Sequence, residues 1–259
     1  MSGPITRRLK PEEEELLRKR EELAAIRATL AERELELVDF RSQLTAFEGR
    51  YLRQVGTLYA ELDEWKARIS ELQARLHPSD ASHAEAEEAR EQARQTYEDA
   101  HGKASEIHDF VPSPELKSLF RDVAKRFHPD LSKDADDLER RTRFMAEANR
   151  AYEAGDAEAL RRILDEYQDG ADVVEGEGIG AELIRIIRQI SLAKSRVSAI
   201  EQELANLRQS EIALLKKQAE DREQEGGDLL AELATAVREQ IGRAQKEYEA
   251  LAKQEGKTA

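Results

Sequence analysis

His128, Pro129 and Asp130 are the residues of this sequence whose types and spacing could most readily do chemistry. An imidazole and a carboxylate two residues apart could act as a general acid and base, but catalysis also needs a pocket or a nucleophile beside them. The flanking sequence supplies neither, so we do not expect an enzyme. Two alternatives remain: a polar tip that binds a partner, and a turn that only ends a helix, which needs none of these three residues in particular.

Metal and cofactor sites are not predicted elsewhere in the chain. The other histidines, His77, His83, His101 and His108, form no convincing set of ligands. The chain contains no cysteine, which excludes disulfides and thiolate-bound zinc. We therefore expect no metal and no cofactor.

Amphipathic helices are predicted on both sides of the tripeptide. Ser113 and Pro114 form a strong helix start, because serine can cap free amides and proline fits the first helical position. This first helix places its apolar residues on one face: Leu116, Leu119, Phe120, Val123, Ala124 and Phe127. The apolar residues of the second helix are Leu138, Phe144, Ala148, Ala151 and Tyr152. Gly155 can end that helix, and Asp156 can cap a third.

Four cations lie on the remaining surface of the first helix: Lys117, Arg121, Lys125 and Arg126. The whole chain has a formal charge of −14, so these residues create a local field of the opposite sign. Such a field steers and orients an acidic partner more than it adds affinity. Taken alone, the four residues are also explained as a solvated helix face.

The segment from Leu116 to Leu131, LKSLFRDVAKRFHPDL, resembles the second helix and signature loop of J-domains. The segment from Phe144 to Tyr152, FMAEANRAY, resembles the third helix of that family. The resemblance implies a co-chaperone, because J-domains dock on the ATPase domain of a DnaK-type heat-shock chaperone and promote ATP hydrolysis and substrate capture. It also implies which residues contact the ATPase: His128, Pro129, Asp130, Lys117, Arg121, Lys125 and Arg126.

The sequence departs from the family pattern in two respects. Family members usually begin with a short first helix, which is not evident here, and the segment around Ile107 and Phe110 is the candidate substitute. Asp122 stands where a basic residue is common, which weakens the cationic face. The zinc-binding classes of the family are excluded by the absence of cysteine.

The composition predicts an all-α fold in which elongated coiled-coil helices flank a small J-domain-like helical hairpin insert. Charged residues make up 37% of the chain and aromatic residues only 5%, too little apolar mass for one large core. An extra four-residue step between Tyr51 and Val55 interrupts the heptad pattern and should locally unwind the supercoil. The predicted segments are an N-terminal coiled-coil hairpin at 11–109, a J-domain-like region at 113–168, an acidic glycine-containing linker at 169–180 and C-terminal coiled-coil helices at 181–254.

The coiled coils are expected to bind a client or assembly and bring it to the chaperone. The alternative is a coiled-coil structural or adaptor protein with a degenerate J-like insert and no ATPase stimulation. The coils could pair within one chain, which the turns at His77-Pro78 and Gly226-Gly227 favour, or between two chains as a homodimer. The sequence has no apolar leader or spanning segment, and its net charge disfavours nucleic acid and anionic membranes, so we expect a cytoplasmic protein.

Overall fold

The structure, a computed structural model, describes residues 10–104, 111–166 and 178–258. The helices are α1 (Pro11–Tyr51), α2 (Thr57–Leu76), α3 (Asp80–Ala104), α4 (Pro114–Phe127), α5 (Ala135–Glu153), α6 (Ala157–Glu166), α7 (Ile179–Arg208), α8 (Glu211–Gln224) and α9 (Leu229–Thr258). These ranges contain no strand, so the predicted all-α class is confirmed. In the same ranges, no helix is both long enough and apolar enough to cross a membrane.

The helices form two units, each of which is discontinuous in sequence. The first unit comprises Met1–Ser42 and Phe110–Arg208, and the second comprises Gln43–Asp109 and Gln209–Ala259. The boundary after Ser42 falls inside α1, so the two parts of this helix enter different cores. Most of the predicted linker at 169–180 lies outside the described residues, and its last two residues already belong to α7.

In the second unit, α2 packs against α3 and α9, and α8 packs against α9. The buried apolar residues of its core are Phe47, Val55, Leu62, Ile69, Leu230, Ala234, Val237, Ile241 and Ala244. The face of α3 buries small residues instead, among them Ala93 and Ala100, which lets this helix approach closely. Gly226 adopts a positive φ of 81° between α8 and α9, a conformation that favours glycine.

A π-helical turn, Leu52–Gly56, joins α1 to α2 at the position of the extra four-residue step in the heptad pattern. A turn of this kind is wider than an α turn and takes up the additional residue. Val55 is fully buried in it. A Cβ at Gly56 would lie 3.1 Å from Leu52 Cδ2, a tight contact within the turn itself, and at an ordinary contact distance of 3.8 Å from the Cβ of Ala100 on α3.

Helices α4 and α5 form a hairpin with the tripeptide at its turn. One core of the first unit lies between this hairpin and α6. Its buried residues are Leu116, Phe120, Val123, Ala124, Phe127, Phe144, Met145, Ala148, Ala151, Tyr152, Ala159, Leu160 and Ile163. Two aromatic pairs fill its centre. The rings of Phe120 and Tyr152 meet edge to face at 5.1 Å, and those of Phe127 and Phe144 are 5.3 Å apart. Such contacts add to the free energy gained from burying the rings alone.

Helix α1 contributes to two cores of the first unit from two of its faces. Ala31, Leu35 and Val38 pack into the core of α4, α5 and α6. Another face packs against α7, and this second core contains Leu16, Leu23, Leu30, Leu37, Leu131, Ile186, Ile190, Ala193, Ile200 and Leu204. Leu131, which follows the tripeptide, therefore belongs to the core that α1 and α7 form.

The predicted helix ends of the hairpin are confirmed at three positions. Ser113 Oγ accepts a hydrogen bond from the Leu116 amide at 3.1 Å, which caps α4. Gly155 has a φ of 70° after α5, and Asp156 Oδ1 accepts from the Ala159 amide at 2.9 Å at the start of α6. These local signals act within a few residues and do not depend on the rest of the fold.

Replacing Ser113 by alanine should lower the free energy of unfolding of the first unit by about 1 kcal/mol, because one amide at the start of α4 loses its acceptor. Hydrogen exchange of the α4 amides measures this change locally. Ser118→Ala, at an exposed interior position of the same helix, is the matched control and should be neutral or slightly stabilising. Equal effects of the two substitutions would contradict the capping role.

Candidate partner-binding site

The tripeptide lies at the turn between α4 and α5. Helix α4 ends at Phe127 because Pro129 disfavours helical geometry at the residue before it, and His128 is extended, with φ −61° and ψ 132°. A short 3-10 turn, Pro129–Leu131, follows. Asp134 then caps α5 by accepting a hydrogen bond from the Asp137 amide at 2.8 Å. Both boundaries of the loop are therefore fixed by local hydrogen bonds and backbone preferences.

His128 is buried, with only 5% of its side chain exposed. Its Nδ1 accepts a hydrogen bond from the Asp130 amide at 3.1 Å. Its Nε2 lies 2.9 Å from Oε1 of Glu34 on α1. The Asp130 amide thus occupies Nδ1 and the Glu34 carboxylate accepts from Nε2, so both nitrogens of the imidazole are engaged within the fold.

Glu34 joins the tripeptide to both long helices of the first unit. Besides His128, its carboxylate accepts hydrogen bonds from Arg196 on α7, at 2.8 Å to Nε and 3.3 Å to Nη2. Burial would by itself raise the pKa of the Glu34 carboxyl. The hydrogen bonds from His128 and Arg196 and the positive charge of Arg196 outweigh that effect, so the pKa lies below its ordinary value.

Asp130 and Pro129 are less enclosed than His128. The carboxylate of Asp130 is about one-third exposed, and one of its oxygens lies 3.8 Å from His128 Nδ1. Leu131 turns inward again, and its carbonyl accepts a hydrogen bond from Gln189 Nε2 on α7 at 2.7 Å. Of the three residues of the tripeptide, Asp130 is therefore the one whose charged group a partner can reach directly.

The four predicted cations of α4 divide into two pairs. Lys117 Nζ donates to Asp39 at 2.9 Å and Arg121 Nη1 to Glu32 at 3.1 Å, so both contact acids of α1. Two others, Lys125 and Arg126, are exposed, and neither forms an ion pair with another residue in the described ranges. Asp122, the departure from the family pattern, is also exposed. The two α4 cations that do not contact acids of α1 are thus the ones nearest the tripeptide.

The buried pair of Asp137 and Arg141 was missed by the sequence analysis. Asp137 accepts from Arg141 Nε at 2.7 Å and from the Lys133 amide at 3.0 Å. Arg141 Nη1 also donates to the Arg126 carbonyl at 2.6 Å, so the pair ties α5 to the loop and to the end of α4. The prediction that Leu138 lies on the buried face was wrong, since it is 44% exposed. Its neighbour Asp137 takes the inward position because Arg141 neutralises it there.

Helix α1 also packs into the hairpin core. It supplies Leu35 and its neighbours to this core, and Asp39 Oδ1 accepts a hydrogen bond from the hydroxyl of Tyr152 at 2.9 Å. The candidate substitute for a first helix, around Ile107 and Phe110, lies outside the described residues. Burial of the Tyr152 hydroxyl and its bond to Asp39 raise the pKa of Tyr152. A long coil helix thus completes the small helical region.

The chain matches no family model, no curated protein and no solved structure. Both nitrogens of His128 are held by hydrogen bonds within the fold, so neither is free to exchange a proton with a bound molecule while these bonds persist. Groups that face solvent beside it include the carboxylate of Asp130 and the side chains of Lys125 and Arg126.

Proposed function

We propose that this chain is a J-domain co-chaperone that stimulates ATP hydrolysis by a DnaK-type heat-shock chaperone. The observation that carries the proposal is the position of His128, Pro129 and Asp130 at the turn between two packed helices, α4 and α5. A third packed helix is provided by α1. Under this proposal, α1 takes the role of the short first helix with which family members usually begin.

In the proposed complex, Asp130 accepts hydrogen bonds from an arginine of the ATPase, a geometry in which carboxylates bind strongly. Lys125 and Arg126 face an acidic surface of the ATPase and orient the encounter. The chain is not itself an enzyme under this proposal, and it acts in the cytoplasm. The coiled coils bind a client or assembly, whose identity the sequence does not specify.

A second candidate function is a coiled-coil structural or adaptor protein with a J-like insert that stimulates no ATPase. The observation that favours it is the burial of His128 against Glu34. A residue that should contact the ATPase instead holds two parts of the fold together. Pairing of the coils between two chains would fit this role as well as the first.

Single-turnover ATP hydrolysis by a DnaK-type chaperone, titrated with the full chain, tests the proposal. We expect stimulation that saturates, and Asp130→Asn should raise the half-saturating concentration about tenfold to a hundredfold, because a hydrogen bond between charged groups is lost. His128→Gln should also lose stimulation. The Asp130 variant is the cleaner of the two, since its carboxylate is about one-third exposed and contributes less to the fold than the buried His128.

Asp122→Asn is the matched control, because it removes one exposed carboxylate from the adjacent helix α4. It should retain stimulation or improve it, since the surface near Lys125 becomes more positive. Circular dichroism must show that all variants remain helical. If saturating wild-type chain gives no stimulation of a chaperone that responds to another J-protein, the structural or adaptor role is correct.

A further inference from the structure

Helix α7 covers the loop that carries the tripeptide. Leu131 is buried in the core that α7 forms with α1, which also contains Ile186 and Ile190 of α7. The neighbouring carbonyls are also engaged by α7, because Gln189 Nε2 lies 2.7 Å from the Leu131 oxygen and 3.4 Å from that of Ser132. One face of α7 thus contacts the loop through both apolar and polar groups.

The same helix reaches His128 through Glu34. Arg196, seven residues beyond Gln189, holds the carboxylate that accepts the Nε2 hydrogen of His128. The imidazole therefore has little exposed surface while α7 stays in place. If α7 moved away, Glu34 would lose its arginine and its contact with His128 would become accessible to water and to competing groups of a partner.

The two helices that contact the loop, α1 and α7, differ in what their displacement would do to the core of the hairpin. Helix α1 supplies Ala31, Leu35 and Val38 to the core of α4, α5 and α6, so its departure would unfold that core. Among the described residues, α7 contributes none to that core. Displacement of α7 would therefore uncover the loop while the hairpin stays folded.

The exposed cations complete the arrangement. Lys125 and Arg126 remain open to solvent beside the covered loop. An acidic partner can be attracted to this surface while His128 is still buried. Recognition is thereby divided into an electrostatic step that is always possible and a specific step that requires displacement of α7.

We propose that α7 is an autoinhibitory cover of the His128-Pro129-Asp130 loop, and that the loop binds its ATPase only in molecules in which α7 has moved away. This inference rests on the proposed function, since it supposes that the loop binds an ATPase. The cover leaves the maximal stimulation unchanged. It raises the half-saturating concentration by the inverse of the fraction of molecules in which the loop is open.

Two variants of the full chain loosen the cover, and each has a control on the same helix. Ile190→Lys places a charge in the core that contains Leu131, and Ile187→Lys makes the same change at a position that is 47% exposed. Arg196→Ala removes the hydrogen bonds to Glu34. Its control, Lys194→Ala, removes only a surface ion pair with Glu22, and such pairs contribute little to stability.

Hydrogen exchange measures the opening without any chaperone. The amides of Asp130 and Leu131 are bonded to His128 in the closed loop, to its Nδ1 and its carbonyl. We expect their exchange to become faster in Ile190→Lys and Arg196→Ala, and to stay unchanged in the two controls. Unchanged exchange in both loosening variants would overturn the inference, because α7 would then not hold the loop closed.

Single-turnover hydrolysis then tests the consequence. The loosening variants should lower the half-saturating concentration about tenfold, at unchanged maximal stimulation, since loss of one hydrogen bond to a charged group shifts an equilibrium by about this factor. Equal half-saturating concentrations in the wild type and in the variants with an open loop would overturn the inference that α7 covers the loop. The proposed function would remain intact. Absence of stimulation by every variant with a demonstrably open loop would refute the proposed function, and the inference with it.

Discussion

Replacing Phe120 by alanine is expected to lower the free energy of unfolding of the first unit by about 4 kcal/mol. Phe120 is fully buried, and its ring lies edge to face on Tyr152 at the centre of the α4, α5 and α6 core. The substitution removes apolar surface and leaves a cavity beside the residue that bonds Asp39 of α1. Both the hairpin and its attachment to α1 should weaken.

Native-state hydrogen exchange of the α4 and α5 amides measures this cost within the first unit. Leu138→Ala is the control, because it truncates a large apolar side chain of the same region that is 44% exposed to solvent. The control should change the unfolding free energy by less than about 1 kcal/mol. If Phe120→Ala lowered the unfolding free energy by no more than the Leu138→Ala control, the aromatic centre would not stabilise the hairpin.

Replacing Asp137 by asparagine is expected to cost about 3 kcal/mol, which corresponds to a fall of roughly 6–12 °C in the Tm of the first unit. The substitution leaves the guanidinium of Arg141 buried without its counter-charge. It also weakens the acceptor of the Lys133 amide, so the loop after the tripeptide loses one of its anchors. Breaking one partner of a buried ion pair is costly for this reason.

Asp136→Asn is the matched control, since the same change is made one residue earlier at an exposed position. Thermal unfolding, monitored by circular dichroism, should give a difference in Tm between the two variants that amounts to most of the predicted shift. Coincident melting curves would show that the Asp137–Arg141 pair contributes nothing to stability.

The stability of the Asp137 variant should also depend less on pH. Burial would raise the pKa of Asp137, but hydrogen bonds from Arg140, Arg141 and the Lys133 amide outweigh it and hold the pKa below its ordinary value of 3.8. A carboxyl with a lowered pKa stabilises the fold above its unfolded pKa and loses that contribution as pH falls through its folded pKa. The difference between wild type and Asp137→Asn should therefore shrink below about pH 3.8.

Local signals allowed the hairpin around the tripeptide to be predicted from the sequence. Ser113, Pro129 and Gly155 each act on backbone within one turn of their own position, so their effects do not depend on distant parts of the chain. The helical spacing of the apolar residues in α4 was equally informative, because these residues face a single core. These are the parts in which sequence and structure agree.

The contacts between α1 and the hairpin could not be predicted in the same way. Heptad spacing shows that a helix needs an apolar partner but not which segment supplies it. Glu34 is one of 55 acidic residues in the chain, and nothing near it in the sequence marks it as the partner of His128. Its role depends on a contact between residues 94 positions apart. The burial of Asp137 was missed for a similar reason, because acidic residues near a helix start are usually solvated.

The π-helical turn at Leu52–Gly56 determines where the chain tolerates a change in length. Such a turn holds one residue more than an α turn. Deleting one residue inside it would give an uninterrupted α-helix in which Phe47 and Leu62 keep their angular positions in the core. A deletion outside this turn, between Phe47 and Leu62, would rotate every later side chain by about 100° and carry Leu62 out of that core. A one-residue alignment gap among relatives of this chain is therefore compatible with the fold at this turn.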